Sequence, residues 1–262
     1  MRRLCVIGDP VAHSLSPAIH AAALRAAGMD DATYTAVRIP AGALPGELPM
    51  LRANFIGCNV TTPLKEEAAA LCDRLDLFAR KAGAANTLAF DRDGGIAGWN
   101  TDGEGAAVAV AEACGVERVA GLRIAVLGTG PAARAAALGI AAHGGRVAVW
   151  GRRPGAVSAL VAMTEGATPW AFEPVDAAFS TLPPGTELPA DLADALRAAP
   201  AVIDANYGAR AALGARLGRP VADGLAMLIG QAAASFRIWF GIEPDVRAMA
   251  EAANFRFREA RT

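Results

Sequence analysis

Arg123-Ile124-Ala125-Val126-Leu127-Gly128-Thr129-Gly130-Pro131-Ala132-Ala133-Arg134 decides how this chain folds, because three local signals meet there. Arg123 to Leu127 is a short apolar strand, Gly128-Thr129-Gly130 is a turn, and an alanine-rich stretch continues as a helix to His143. Strand, glycine turn and helix in that order form a mount for a dinucleotide pyrophosphate. Gly128 allows the tight turn, Gly130 lets backbone approach the phosphates, and Ala133 in the third slot keeps the helix close to the strand. Pro131 suits the first helical position but removes an N–H that would meet phosphate, and Ala132 follows it in the turn.

Working outward, Val147 to Trp150 is the next strand, and Gly151-Arg152-Arg153-Pro154 follows it. A ribose 2′-hydroxyl calls for a carboxylate at this place. Two guanidiniums suit a 2′-phosphate instead, through bidentate, charge-assisted bonds, so NADP is expected over NAD with Arg152 and Arg153 as its selectors. Ala178 to Ser180, Ala201 to Asp204 and a last short strand at Pro220-Val221-Ala222 extend the doubly wound pattern. Leu225 to Gly241 is a buried helix with Met227, Gln231 and Ser235 on one face, and Asp245 to Arg258 a final amphipathic helix.

In the other direction, strands at Leu4–Ile7, Thr33–Ile39 and Phe55–Val60 alternate with helices at Pro17–Ala27 and Ala41–Arg52. Gly83 to Leu88 introduces a further strand, and Gly94-Gly95 turns into Ile96 to Trp99. The expected fold class is α/β with two domains. A substrate-binding domain with a mainly parallel sheet, residues 1–102 completed by 225–262, would face a Rossmann dinucleotide-binding domain, residues 103–224, across a cleft.

Candidate chemistry lies in the N-terminal part. With Thr62 as N-cap and Pro63 at the first helical position, Lys65 falls in the first turn, where the helix field opposes a cation by about 0.3–1 kcal/mol. It is a candidate proton donor; the plain alternative is a solvated lysine balanced by Glu66 and Glu67. Ser14 and Ser16, two apart in an extended segment before the Pro17 helix, form a cradle for a carboxylate or phosphate, unless Ser16 is only an N-cap. His20 is expected to be a packed, hydrogen-bonded core histidine. Thr101 and Glu104 fit a capping box that puts Asp102 at the first helical position, where a carboxylate is also welcome for purely structural reasons. Gln231, inside an apolar helix, needs partners from either a polar ligand or the backbone.

The 262 residues carry a formal net charge of −1, with a pI near 6.3, and supply no basic field for nucleic acid. Cys5, Cys58, Cys72 and Cys114 lack CxxC or metal-ligand spacing, so no metal centre is expected and the thiols are read as reduced, in a cytoplasm. The apolar residues before Gly8 are too few for a secretory leader. Gly230, Gln231, Ser235 and Arg237 break up the run from Leu225 to Phe240, which excludes a membrane span there.

Four signatures, in order, resemble those of the shikimate dehydrogenase family over nearly the full length. They are Gly8-Asp9-Pro10 with His13-Ser14-Leu15-Ser16-Pro17; Asn59 to Lys65; Asn86-Thr87 with Asn100-Thr101-Asp102; and Gly224 to Gln231 with Trp239. The resemblance implies that Ser14, Ser16, Thr61 and Gln231 bind substrate and that Asn86 and Asp102 hold its hydroxyls. It makes Tyr207 a substrate contact and Lys65 the catalytic lysine, paired with Asp102. Gly128, Gly130, Pro131, Ala132, Arg152, Arg153, Thr181, Gly224 and Met227 would meet NADP, with Met227 at the nicotinamide. The implied reaction is reversible reduction of 3-dehydroshikimate to shikimate by NADPH, in a monomer or homodimer. The same resemblance admits a quinate or aminoshikimate dehydrogenase, with NAD as the alternative cofactor, and a ligand-binding paralogue without chemistry. Retention of both Lys65 and Asp102 speaks for an enzyme. The chain departs from the family pattern at Pro131, Gly151, Ser180-Thr181-Leu182 and Gly208-Ala209-Arg210.

Overall fold

The computed structural model describes residues 1–258, which form two compact units. Met1–Thr101 and Gln231–Arg256 make up the first; Asp102–Gly230 and residues 257–258 belong to the second.

The first unit runs β1 (Arg2–Gly8), α1 (Ser16–Ala26), β2 (Ala32–Arg38), α2 (Leu44–Asn54), β3 (Gly57–Val60), α3 (Lys65–Ala70), β4 (Arg74–Leu75), α4 (Leu77–Ala82), β5 (Thr87–Phe90) and β6 (Ile96–Trp99). Its six strands lie in the order β2-β1-β3-β5-β6-β4. β1 pairs in parallel with β2 and β3, and β6 with β4, whereas β5 runs antiparallel to both β3 and β6. The sheet is therefore mixed. The reversal follows from the chain itself: no crossover helix separates β5 from β6, and Asp91 to Gly95 close a hairpin in which the Gly94 N–H donates to the Asp91 carbonyl at 3.1 Å. Cys5, Ile7, Cys58, Val60 and Leu88 pack with Leu44, Leu51 and Leu64 into one core, so one face of the central strands is apolar, while Asn59 and Thr87 are buried on the other.

The second unit runs α5 (Asp102–Cys114), β7 (Arg123–Leu127), α6 (Pro131–Ala142), β8 (Arg146–Trp150), α7 (Pro154–Met163), β9 (Thr168–Pro169), β10 (Ala177–Ser180), α8 (Ala190–Ala198), β11 (Ala201–Asp204) and α9 (Leu213–Leu217). Its five strands, ordered β11-β10-β7-β8-β9, are all parallel, as a doubly wound dinucleotide fold requires. Gly139 of α6 meets Gly103 of α5 so closely that a Cβ at Gly103 would stand 2.9 Å from the Gly139 Cα, and a Cβ at Gly139 would collide with the Gly103 backbone. α10 (Leu225–Phe240) carries the chain from the second unit into the first at Gly230, and α11 (Val246–Ala252) packs on α1.

Several local expectations are corrected. Pro220-Val221-Ala222 is no strand; Ala222 forms only an isolated bridge to Ile203. The final helix is one short stretch, started by Asp245, whose carboxylate accepts from the Ala248 N–H at 2.9 Å. Thr62 is no N-cap: α3 begins at Lys65 after Leu64, and the Thr62-Pro63 peptide bond is cis. The segment before α1 turns instead of extending, with the Ser14 N–H donating to the Val11 carbonyl at 3.1 Å. No helix among the described residues is long and apolar enough to cross a membrane.

Candidate active site

Strand directions put the candidate residues of the first unit along one sheet edge. β1 and β3 end there, and the antiparallel β5 starts there, because Ile7 pairs with Val60 and Asn59 with Thr87. β6 also ends there, with Trp99 opposite Thr87. Ser14 and Ser16 follow β1, Thr61 and Lys65 follow β3, Asn86 precedes β5, and Asn100-Thr101 follow β6. Ligands of α/β sheets gather at such carboxyl ends.

Backbone bonds lock these segments to each other. The Thr61 N–H donates to the Ile7 carbonyl at 2.9 Å, and the Ala85 N–H to the Lys65 carbonyl at 2.9 Å. Half-buried Lys65 is thus the first residue of α3 and is tied by its backbone to the residue before Asn86. Ser16 is buried and is the first residue of α1, not its cap; the Ser14 hydroxyl instead accepts from the Ser16 N–H at 3.2 Å. The turn thus ties the Ser14 side chain to the Ser16 backbone.

Behind this edge runs a buried polar network that the sequence reading did not assign. The Tyr34 hydroxyl donates to Asn59 Oδ1 at 2.7 Å, which turns the Asn59 amide nitrogen toward β5 and α10. Asn59 Nδ2 reaches the Asn86 carbonyl and Thr87 Oγ1 at 3.1 Å and Ser235 Oγ at 2.9 Å. The Ser235 hydroxyl lies 2.9 Å from the Gln231 carbonyl and 2.8 Å from Thr87 Oγ1. Asn86 Oδ1 accepts from the Thr101 N–H at 2.8 Å, while its Nδ2 reaches Thr101 Oγ1 at 2.9 Å and Gln231 Oε1 at 3.4 Å. Asn86 and Gln231 are therefore brought together, and the residue before Asp102 is fixed to Asn86. Asp102 itself, buried, opens α5. A polar Asn59 in the otherwise non-polar, fully buried strand Gly57–Val60, and Ser235 one turn beyond Gln231, were the available signals for this network.

His20 departs from expectation. It is fully buried and stacks on Tyr34 with ring centroids 4.3 Å apart, yet neither ring nitrogen has a hydrogen-bond partner among the described residues. Burial lowers its pKa to about 3, only partly opposed by the Asn59 side chain, so it is a neutral ring at physiological pH.

In the second unit the residues fit a dinucleotide. Gly128 adopts φ +116° at the end of β7, and its missing Cβ makes room for Thr181 Oγ1, which donates to the Leu127 carbonyl at 2.8 Å. Gly130 is exposed, with nothing within 4 Å of where its Cβ would be, and it caps a twelve-residue helix that starts at Pro131, with Ala132 next. That open backbone at a helix N-terminus is what a pyrophosphate requires. Arg152 and Arg153 are exposed just beyond β8. Gly224 packs its backbone on Ala205, Met227 is buried near the start of α10, and Tyr207 is half-buried.

Models of the shikimate dehydrogenase substrate binding domain and the shikimate 5'-dehydrogenase C-terminal domain match residues 6–88 and 224–253. A shikimate dehydrogenase (NADP(+)) of Thermus thermophilus is 38% identical over 263 residues, covering 97% of this chain and 98% of the relative. The chain belongs to the shikimate dehydrogenase family. Another member, the shikimate dehydrogenase (NADP(+)) of Methanosarcina mazei, is 36% identical over 93% of this chain and 94% of its own. A crystal structure of a Thermus thermophilus shikimate 5-dehydrogenase in complex with NADP(H) and shikimate aligns with TM-score 0.81 at 34% identity, covering 97% of this chain and 99% of that one. The family thus agrees with the α/β architecture and with a small-molecule substrate handled beside a dinucleotide.

Proposed function

We propose that this chain catalyses the reversible, NADPH-dependent reduction of 3-dehydroshikimate to shikimate, a step of aromatic amino-acid biosynthesis in the cytoplasm. One observation carries the reading: Ser14, Ser16, Thr61, Lys65 and Asn86 collect at one sheet edge, with Gln231 bonded to Asn86, in a member of this family. The four cysteines are all free, which suits the proposed reducing compartment.

Ser14, Ser16 and the N-terminal end of α1 receive the substrate carboxylate, where hydroxyls and helix field both favour an anion. Thr61, Asn86, Gln231 and Tyr207 orient the ring through its hydroxyls. NADP(H), held at Gly128, Gly130, Pro131, Ala132, Arg152 and Arg153, with Thr181, Gly224 and Met227 around it, supplies or accepts the hydride. Negative charge then gathers on the ketone oxygen. The Lys65 ammonium stabilises that charge and passes a proton from Nζ to the oxygen, while Asp102 orients the lysine and favours its charged form. In the oxidative direction Lys65 takes the proton back.

Steady-state rates on shikimate and quinate, each with NADP⁺ and NAD⁺, test the assignment. Shikimate with NADP⁺ is expected to give the highest kcat/KM. A clear preference for quinate with NAD⁺ would replace this substrate assignment, and binding of both ligands without turnover would make the chain a non-catalytic relative.

A further inference from the structure

The carboxyl end of β8 contains a steric pairing that bears on how the chain reads the cofactor. A Cβ placed on Gly151 would lie 2.8 Å from Thr129 Cγ2 and 3.2 Å from Val157 Cγ2. The Thr129 methyl group therefore fills the space that a side chain at 151 would take. Threonine has a single heavy-atom torsion and stiff staggered preferences, so setting the methyl against Gly151 also fixes the hydroxyl in one orientation. That hydroxyl makes no hydrogen bond to any described residue, and neither Arg152 nor Arg153 makes a hydrogen bond or ion pair with one. Thr129 is half-buried and the two arginines are exposed. A donor held in one orientation beside two adjacent cations with no protein counter-ion suits a dianion, because phosphate oxygens accept from a hydroxyl as readily as from guanidinium.

Resting on the NADP-dependent reading above, we propose that Thr129 donates its hydroxyl to the 2′-phosphate of the cofactor beside Arg152 and Arg153. Glycine at 151 is the condition for this: any larger residue rotates or displaces Thr129. The pair thus selects for the phosphorylated ribose from both sides, one residue by donating and the other by leaving room.

Calorimetric titration with 2′,5′-ADP and with 5′-AMP isolates the 2′-phosphate from the rest of the cofactor and needs no turnover. Thr129→Val keeps the branched shape and removes the donor; it should weaken 2′,5′-ADP about tenfold and leave 5′-AMP unchanged, which also certifies a folded protein. Gly151→Ala should weaken 2′,5′-ADP in the same direction, and it should add nothing further in a Thr129→Ala background, where the methyl it displaces is gone. A Thr129→Val protein that keeps the full wild-type preference for 2′,5′-ADP would overturn the role of Thr129. A wild-type protein that does not prefer 2′,5′-ADP over 5′-AMP would instead overturn the cofactor reading on which the role rests.

Discussion

Asn59→Ala removes the centre of the network behind the substrate edge, and its cost can be worked out bond by bond. The Tyr34 hydroxyl, buried beside the His20 ring, loses its 2.7 Å acceptor and keeps only the Ser16 side chain as a polar neighbour. An orphaned buried donor costs about 1–3 kcal/mol. The Asn86 carbonyl is not orphaned, since the Val60 N–H still donates to it at 2.8 Å. The Thr87 and Ser235 hydroxyls likewise keep each other at 2.8 Å. Their lost bonds to Asn59 add about 1 kcal/mol. The sum is about 2–4 kcal/mol, which for a chain of this size corresponds to a fall in Tm of about 5–15 °C. Tyr34→Phe leaves Asn59 Oδ1 unpaired and should also destabilise, whereas Tyr34→Phe with Asn59→Leu should cost less than the sum, because no orphan then remains. The assay is thermal unfolding by circular dichroism, with KM for shikimate measured alongside. KM should rise several-fold, since Asn86 and the α10 turn carrying Gln231 both lose an anchor. A Tm within about 2 °C of wild type and an unchanged KM would refute the reasoning.

His20 refuses a proton that the unfolded chain accepts, so stability should fall as pH drops from 6.5 toward 3, by at most about 1.4 kcal/mol per unit; His20→Phe, which keeps a ring against Tyr34, should flatten that slope in denaturant titrations, and equal slopes would contradict the assignment. Gly139→Ala drives a methyl into the Gly103 backbone, which cannot rotate away, so a loss of about 3 kcal/mol or more and a Tm lower by about 6–12 °C are expected; an unchanged Tm would show that α5 and α6 separate at little cost.

The dinucleotide mount was legible in the sequence because its signal is local: strand, glycine turn and helix lie within twelve residues, and four of the five parallel strands follow from the same alternation, whereas the two-residue edge strand Thr168–Pro169 is too short to read and the expected strand at Pro220–Ala222 does not form. The first sheet was less legible. A strand was expected at Gly83 to Leu88 and forms at Thr87–Phe90, and Ile96 to Trp99 shows as a strand, but their antiparallel direction depends on the hairpin at Gly94, and Arg74–Leu75 is too short for any period to reveal. Lys65 does fall in the first turn of its helix, although Thr62 is not the cap that starts it. The Ser14 hydroxyl bonds the Ser16 backbone in a turn where the spacing suggests an extended segment, and a backbone bond from Ser14 to Val11, which no residue type announces, goes with that turn. Asn59, Thr87 and Ser235 escape a linear reading because their meaning lies in pairings across up to 176 positions of sequence, which only the folded chain brings within hydrogen-bond distance. His20 illustrates the limit of residue-type expectation: a histidine is ordinarily bonded, and this one is held by ring stacking.

The most direct test of the account is the turnover of Lys65→Ala with shikimate and NADP⁺, measured together with shikimate binding to the same protein. If Lys65 is the proton-transfer group, kcat falls by about 10²–10⁴-fold while the dissociation constant for shikimate changes far less. Turnover near the wild-type value would contradict the account.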